Sequence, residues 1–358
     1  MGITKKAAIL AVGLGLVTLS ACGSSGGGGE SGDPKTVTLV SHDSWAASKD
    51  VIAAFEKESG YRVRVLKDGD AGQAVNKAIL TKDNPQGDVF FGVDNTLLSR
   101  ALDNGLFQPY EPKDADRIGP EYRADGERHR VTPIDTGDIC VNYDKEWFGE
   151  HRLTPPASFD DLIKPEYKNL LVTENAATSS PGLGFLLGTA ARYGDGWPEY
   201  WKKLKANGVK VVDGWEQAYN EEFSGSAAGK KAKADRPLVV SYASSPPAEV
   251  IYADPRPDTA PTGIASNTCF RQVEYAGLLS NAENPEGGKA LLDFLIGKRF
   301  QDDLPLNMFV YPVRDDAKVP EDFAKFGPQA KNPQTMDPDE IADHRDEWVK
   351  SWTSLVLK

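Results

Sequence analysis

The run Asp88-Val89-Phe90-Phe91-Gly92-Val93, closing on Asp94-Asn95, reads as an apolar strand that ends in polar residues, with a helix expected from Thr96 to Asp103. Working back, Tyr61 to Leu66 is a strand followed by the turn Asp68-Gly69-Asp70-Ala71-Gly72. Before it, Lys49 to Glu58 carries Val51, Ile52 and Phe55 on one helical face, with Gly60 past the end. Val37 to Val40 is a first buried strand, running into Ser41-His42-Asp43-Ser44-Trp45. Strands alternating with helices predict an α/β fold with a helix-covered parallel sheet. Such sheets bind ligands at the carboxyl ends of their strands. Asp43, Asp68, Asp94 and Asn95 all stand at those ends.

Working forward, Thr132 to Tyr143 is strand-like and Leu170 to Thr173 is a further strand. It feeds Ala177-Thr178-Ser179-Ser180-Pro181-Gly182-Leu183-Gly184-Phe185-Leu186-Leu187, where hydroxyls and a proline open an apolar helix. Proline suits the first helical turn, and Ser179 or Ser180 suits the N-cap. The same helix start favours an anion, because free N–H groups and the dipole point at it. A helix from Trp197 to Ala206, a strand ending at Asp213 and the run Gly214-Trp215-Glu216-Gln217-Ala218-Tyr219 follow. Ser224 to Asp235 reads as a surface loop, and Leu238 to Ser241 as a strand leading to Tyr242. The second half thus offers Ser179, Trp215 and Tyr242 at its own strand ends. Thr268 to Leu278 returns as a long strand, Pro305 to Val313 reads as extended, and the last forty or so residues read as helical with Trp348 and Trp352.

The chain has 358 residues and a formal charge of -12, a size that favours two lobes over one core. No basic footprint for nucleic acid is present. Lys5 and Lys6 precede an apolar run from Ala7 to Leu19, too short for a permanent membrane span. It ends in Leu19-Ser20-Ala21-Cys22-Gly23, which resembles the lipobox of bacterial lipoproteins. That implies a signal peptide over 1–21, a lipid on Cys22, and a Gly/Ser tether over 22–35. About thirteen such residues reach about 20 Å on random-coil scaling. The protein is therefore expected outside the cytoplasmic membrane and anchored to its outer face. With Cys22 set aside, Cys140 and Cys269 remain, as one disulfide or two buried thiols.

The features in this order resemble the substrate-binding proteins of bacterial ABC importers, specifically their thiamine-binding branch. The matching stretches are Asp94-Asn95-Thr96-Leu97-Leu98, Ser180-Pro181-Gly182-Leu183-Gly184 and Gly214 to Tyr219. Ser241-Tyr242 with Ser245-Pro246, Gln272-Val273-Glu274 and Tyr311-Pro312-Val313 complete them, in family order from about Val37 to Trp348. The resemblance implies a two-lobed type 2 periplasmic-binding-protein fold with a ligand cleft between lobes joined by crossing strands. One lobe would be 36–138 with 267–316, the other 139–266, and 317–358 would add C-terminal helices packing on them. It implies a monomer that captures thiamine or a phosphate ester and delivers it to an ABC permease and its ATPase, with no cofactor. The ligand set would be His42, Asp43, Asp68, Asp94, Asn95, Asp135, Ser179, Ser180, Trp215, Tyr219, Tyr242 and Phe309. Asp68 is the carboxylate expected for the ring amino group; Trp215, Tyr242 and Phe309 are the aromatic faces expected for flat, cationic rings. A phosphate would take Ser179 and Ser180. His42, Thr136 and Phe309 depart from the aromatic residues common in the family at these places. The crossing strands would lie side by side, which implies that Cys140 and Cys269 are bridged.

Two sister ligands and one enzyme class compete. Iron(III) carriers of this fold show neighbouring tyrosines, whereas Tyr242 is followed by Ala243. A polyamine carrier would draw on Asp43, Asp68, Asp94 and Asp135 with aromatics. A surface hydrolase is disfavoured: adjacent His42-Asp43-Ser44 cannot face one another as a triad, and no Gly-x-Ser-x-Gly elbow is present. Gly225 to Lys231 is one residue short of a P-loop and lacks its final hydroxyl. The four histidines have no zinc spacing.

Overall fold

The computed structural model describes residues 35–327 and 329–358. The expected signal peptide, the expected lipidation site Cys22 and the expected tether as far as Pro34 lie outside them.

In chain order the first elements are β1 (Thr36–Ser41), α1 (Lys49–Ser59), β2 (Arg62–Lys67), α2 (Ala71–Leu80), β3 (Val89–Asp94), α3 (Leu98–Asp103) and β4 (Phe107–Gln108). The long strand β5 (Thr132–Asp144) leads to α4 (Lys145–Glu150), α5 (Phe159–Leu162), β6 (Leu171–Glu174), α6 (Ser180–Tyr193), α7 (Trp197–Ala206) and β7 (Lys210–Val212). Then come α8 (Trp215–Gln217), α9 (Ala227–Ala232), β8 (Leu238–Tyr242), α10 (Ala248–Ile251) and the longest strand, β9 (Thr262–Leu279). The chain closes with α11 (Pro285–Leu295), α12 (Lys298–Asn307), β10 (Tyr311–Pro312), α13 (Glu321–Phe326) and α14 (Pro338–Val356).

One sheet runs β2-β1-β3-β9-β5-β8-β6-β7, with β4 added on β9 and β10 on β5. At one end β1 pairs β2 and β3 in parallel; at the other β6 pairs β7 and β8 in parallel. Between these sets run β9 and β5, antiparallel to each other and each antiparallel to the parallel strand beside it. Two parallel sets therefore present their carboxyl ends to one another, joined through two crossing strands. Strand alternation sorts the core onto the two faces. Val37, Leu39, Val89 and Phe91 pack with Phe55, Leu291, Leu295 and Phe300 on one face. Val40, Phe90 and Val93 face a cluster that includes Val75 of α2, Leu186 of α6, Trp201 of α7 and Trp352 of α14.

The two long strands do not keep one register. Ile139 pairs Phe270 but Val141 pairs Ala265, so β9 bulges over the residues between. Cys269 lies in that bulge, its Cα 4.2 Å from that of Cys140, and the two are joined by a disulfide.

Three sequence expectations are corrected. Ser224 to Asp235 is not all loop: Ser226 caps α9 by accepting the Gly229 N–H at 2.9 Å. Pro305 to Val313 is not extended throughout, because α12 continues through Pro305 to Asn307 and only Tyr311–Pro312 pairs with β5. The last forty residues are two helices separated by an irregular stretch.

Candidate functional site

Between the facing carboxyl ends lies a hollow of about 530 Å³, open mouth included. The first strand set supplies His42, just past β1, and Asp70, which caps α2 by accepting the Ala71 N–H at 2.6 Å. Glu274 comes from β9. The second set supplies Ser180 from α6, Trp215 from the start of α8, Tyr242 from the end of β8 and Ser245 beyond it. Phe309 and Met308 roof the hollow after α12.

His42 owes its position to Gly92. That residue sits in the β3 bulge with φ +99°, and a Cβ there would lie 2.3 Å from the imidazole Cδ2. Without a side chain at Gly92 the ring lies against the strand, its Nε2 3.4 Å from a Glu274 carboxylate oxygen. Burial alone would depress the imidazolium, but Glu274 beside it, aided by Asp70, holds the His42 pKa above its usual value. Burial alone would likewise raise Glu274, and His42 keeps it below the usual range. Asp135 lies next to Glu274 with neither carboxylate oxygen hydrogen-bonded to protein. Burial, then the Glu274 charge, push its pKa well above the usual carboxylate range.

Asp70 joins the two strand sets. Its Oδ2 accepts the Trp215 N–H at 2.8 Å. A Cβ on Gly214 would lie 2.8 Å from the same oxygen, so glycine before the tryptophan permits the approach. Burial raises the Asp70 pKa, opposed by that N–H and by the charge of His42. The Trp215 ring is fixed from behind: Tyr219 stacks on it at 5.0 Å and 14°, and its Nε1–H donates to Ser241 Oγ at 2.9 Å. Phe309 has φ +56° and lies parallel to Phe323 at 6.0 Å.

The twelve expected residues divide three ways. His42, Ser180, Trp215, Tyr242 and Phe309 line the hollow. Asp94, Asp135, Ser179 and Tyr219 are buried around it. Asp94 accepts from Thr96, Ser180 and Gln272 and is spent on structure. Ser179 Oγ has no protein partner, and Tyr219 donates its hydroxyl to Glu249 at 3.1 Å. Asp43, Asp68 and Asn95 belong elsewhere. Asp43 is exposed and takes the Gly69 N–H at 3.2 Å. Asn95 sews β3 to β9 by two backbone contacts, at 3.1 Å to the Arg271 oxygen and 3.0 Å from the Val273 N–H.

Asp68 is corrected because Lys77, on the exposed side of α2, reaches back to it at 2.5 Å. The carboxylate in the wall is Asp70. Its N-cap position before Ala71 was a signal in the sequence, and Glu274 stood within a quoted stretch without being given a role. Ser245 and Ser44 likewise stood within quoted stretches without being given a role, as did Met308 between Pro305 and Val313.

One wall of the hollow is ionisable, the other aromatic and hydroxylic.

Residues 84–250 match the family described as bacterial extracellular solute-binding proteins. A thiamine-binding periplasmic protein of Salmonella typhimurium is 29% identical over 329 residues, covering 90% of this chain and 94% of that one. The thiamine-binding periplasmic protein of Escherichia coli is 28% identical over 327 residues, with 90% and 94% covered. A solved periplasmic thiamin binding protein superposes with a TM-score of 0.77 at 27% identity, covering 90% of this chain and 96% of that one. All three relatives are thiamine-binding proteins.

Proposed function

We propose that this chain is a solute-binding protein of the two-lobed type 2 class and that its ligand is thiamine or a thiamine phosphate. The observation that carries the reading is Asp70 set against Trp215 and Tyr242 in one hollow. Thiamine has an aminopyrimidine whose amino group asks for a carboxylate, and Asp70 supplies it. Its thiazolium is a cation, which gains about 0.5–2 kcal/mol over an aromatic face; Trp215 and Tyr242 offer such faces. A phosphate on the hydroxyethyl arm would meet Ser180 at the start of α6 and Ser245. Phe309, held parallel to Phe323, closes the roof.

The lobes meet within the crossing strands, so 36–138 with 267–316 and 139–266 move as two bodies about β5 and β9. The protein is read as a lipid-anchored monomer, cut before Cys22, on the outer face of the cytoplasmic membrane, from which it hands its ligand to an ABC permease and its ATPase. Mass spectrometry of the mature chain for a diacylglyceryl-modified Cys22 tests the anchor.

Thermal unfolding with thiamine, its mono- and diphosphate, spermidine and ferric citrate tests the ligand. A ligand at 100 times its dissociation constant stabilises by about 2.7 kcal/mol. Stabilisation by a thiamine compound and not by the others is expected; a response to spermidine or ferric citrate alone would replace the reading by one of its sisters.

A further inference from the structure

A second hollow shares no residue with the ligand cavity. Its walls include Asn76 of α2, Arg100 of α3, Ala177 before α6, and Arg345, Asp346 and Lys350 of α14, enclosing about 570 Å³ with the mouth. Elements of both strand sets and the C-terminal helix meet here.

The charges in it do not balance. Arg345 is a buried guanidinium with its side chain 7% exposed, and its Nε has no hydrogen-bond partner in the protein. Its nearest anion is Asp346, 2.8 Å from Nη2, but Asp346 is 72% exposed and is shared with Arg100 Nη1 at 3.3 Å. Lys350 adds a third cation to the same walls and has no ion-pair partner among the described residues. Asp94 and Asp103 act on Arg345 only through longer-range charge, and Asp94 already holds Thr96, Ser180 and Gln272. Three cations thus face one shared carboxylate in a chain of net charge -12. A buried guanidinium left without full pairing is costly, and a planar N–H fork matches oxyanions best.

We propose that this hollow is an anion site, in which Arg345, with Arg100 and Lys350, holds a small oxyanion such as inorganic phosphate, sulfate or a multivalent carboxylate. Bound there, the anion contacts elements of both strand sets together with α14. The site is independent of what the main cavity takes.

Thermal unfolding and calorimetry with phosphate, sulfate and citrate, each against sodium chloride at matched ionic strength, test it. Saturable stabilisation above the chloride control is expected, strongest for whichever oxyanion class the site serves. Arg100→Ala and Lys350→Ala alter a half-buried and an exposed side chain and should each weaken the anion's apparent affinity at least threefold; Arg345→Gln should weaken it tenfold or more. Trp215→Ala and Ser180→Ala should leave the anion response in place. A response that follows ionic strength alone would overturn the proposal. So would one unchanged in Arg100→Ala and Lys350→Ala, or one lost in Trp215→Ala or Ser180→Ala, which would place the anion in the main cavity.

Discussion

The ligand cavity and the crossing strands beside it solve opposite problems. Around the cavity, His42 Nε2, both Asp135 oxygens and Ser179 Oγ lie buried without hydrogen-bond partners in the protein. Across β5 and β9, eleven residue pairs join the strands on either side of two register shifts, and the Cys140–Cys269 bridge ties them covalently. Unpaired buried polar groups cost stability, so the surroundings of the cavity are held less firmly than the bridged stretch of β5 and β9. The bridged stretch of the crossing strands supplies stability, and Cys140 and Cys269 do not line the hollow, although Glu274 of β9 does. Affinity and stability are therefore separable here, and variants should move one without the other.

The largest effect expected is on the stability side. The bridged cysteines are 129 residues apart, and loop-closure entropy on that scale gives about 4–5 kcal/mol as an upper figure. Cys140→Ser with Cys269→Ser should lower the unfolding free energy toward that amount in denaturant titrations, with thiamine affinity within threefold of wild type. A tenfold loss of affinity would break the separation. The denatured, unreduced mature protein should show no free thiol.

On the other side, Asp70→Ala should raise the thiamine dissociation constant about 30- to 100-fold, the scale of about 2–3 kcal/mol for a hydrogen bond to a charged group. Trp215→Ala should raise it at least tenfold, about 1.4 kcal/mol. Calorimetry reads both. Neither should lower the melting temperature of the ligand-free protein as far as the double cysteine variant does.

Acidity should move the two properties in opposite directions. Asp70 and Asp135 have folded pKa values above the usual carboxylate range because burial disfavours their charge, and Glu274 holds His42 above its usual value against burial. Groups whose pKa rises on folding contribute stability at low pH that is lost as pH climbs through the folded value. As pH climbs above the usual carboxylate value of about 4 and then the usual histidine value of about 6.5, the ligand-free protein should become less stable by these groups. Thiamine affinity should rise over the same range, as Asp70 ionises and the imidazolium beside the cationic ligand is lost. A flat affinity profile would remove His42 and Asp70 from the site, and His42→Asn should flatten the upper part of it.

The smallest effect sharpens the boundary of the cavity. Asp68→Asn should change thiamine affinity less than twofold, since its carboxylate faces Lys77 at 2.5 Å. The loss of stability should be at most about 1 kcal/mol, as for a partly exposed ion pair.

Much of the fold was legible because it rests on local rules. The apolar runs at Val37 to Val40 and Val89 to Val93 are strands, and Trp197 to Ala206 forms a helix with the bounds its pattern predicted. Periodicity and caps act over a few residues, and no distant contact overrides them here. The strand ends, and with them Trp215, Tyr242 and Ser180, followed from the same patterns.

Which carboxylate faces the ligand did not follow. Asp68 and Asp70 are two residues apart at the same strand end, equal in charge and in parity along the chain. The choice was made by Lys77, nine residues further along, which folds back over Asp68, and by the Trp215 backbone N–H, 145 residues away, which meets Asp70. The sequence by itself determined the alternating strands and helices, the capped start of α6 and the residue types on offer at each strand end, because short-range sterics and apolar periodicity set them. Only the tertiary structure decided which of those residues face a common space and which are consumed by pairing, because partners far apart in the chain compete for each polar group.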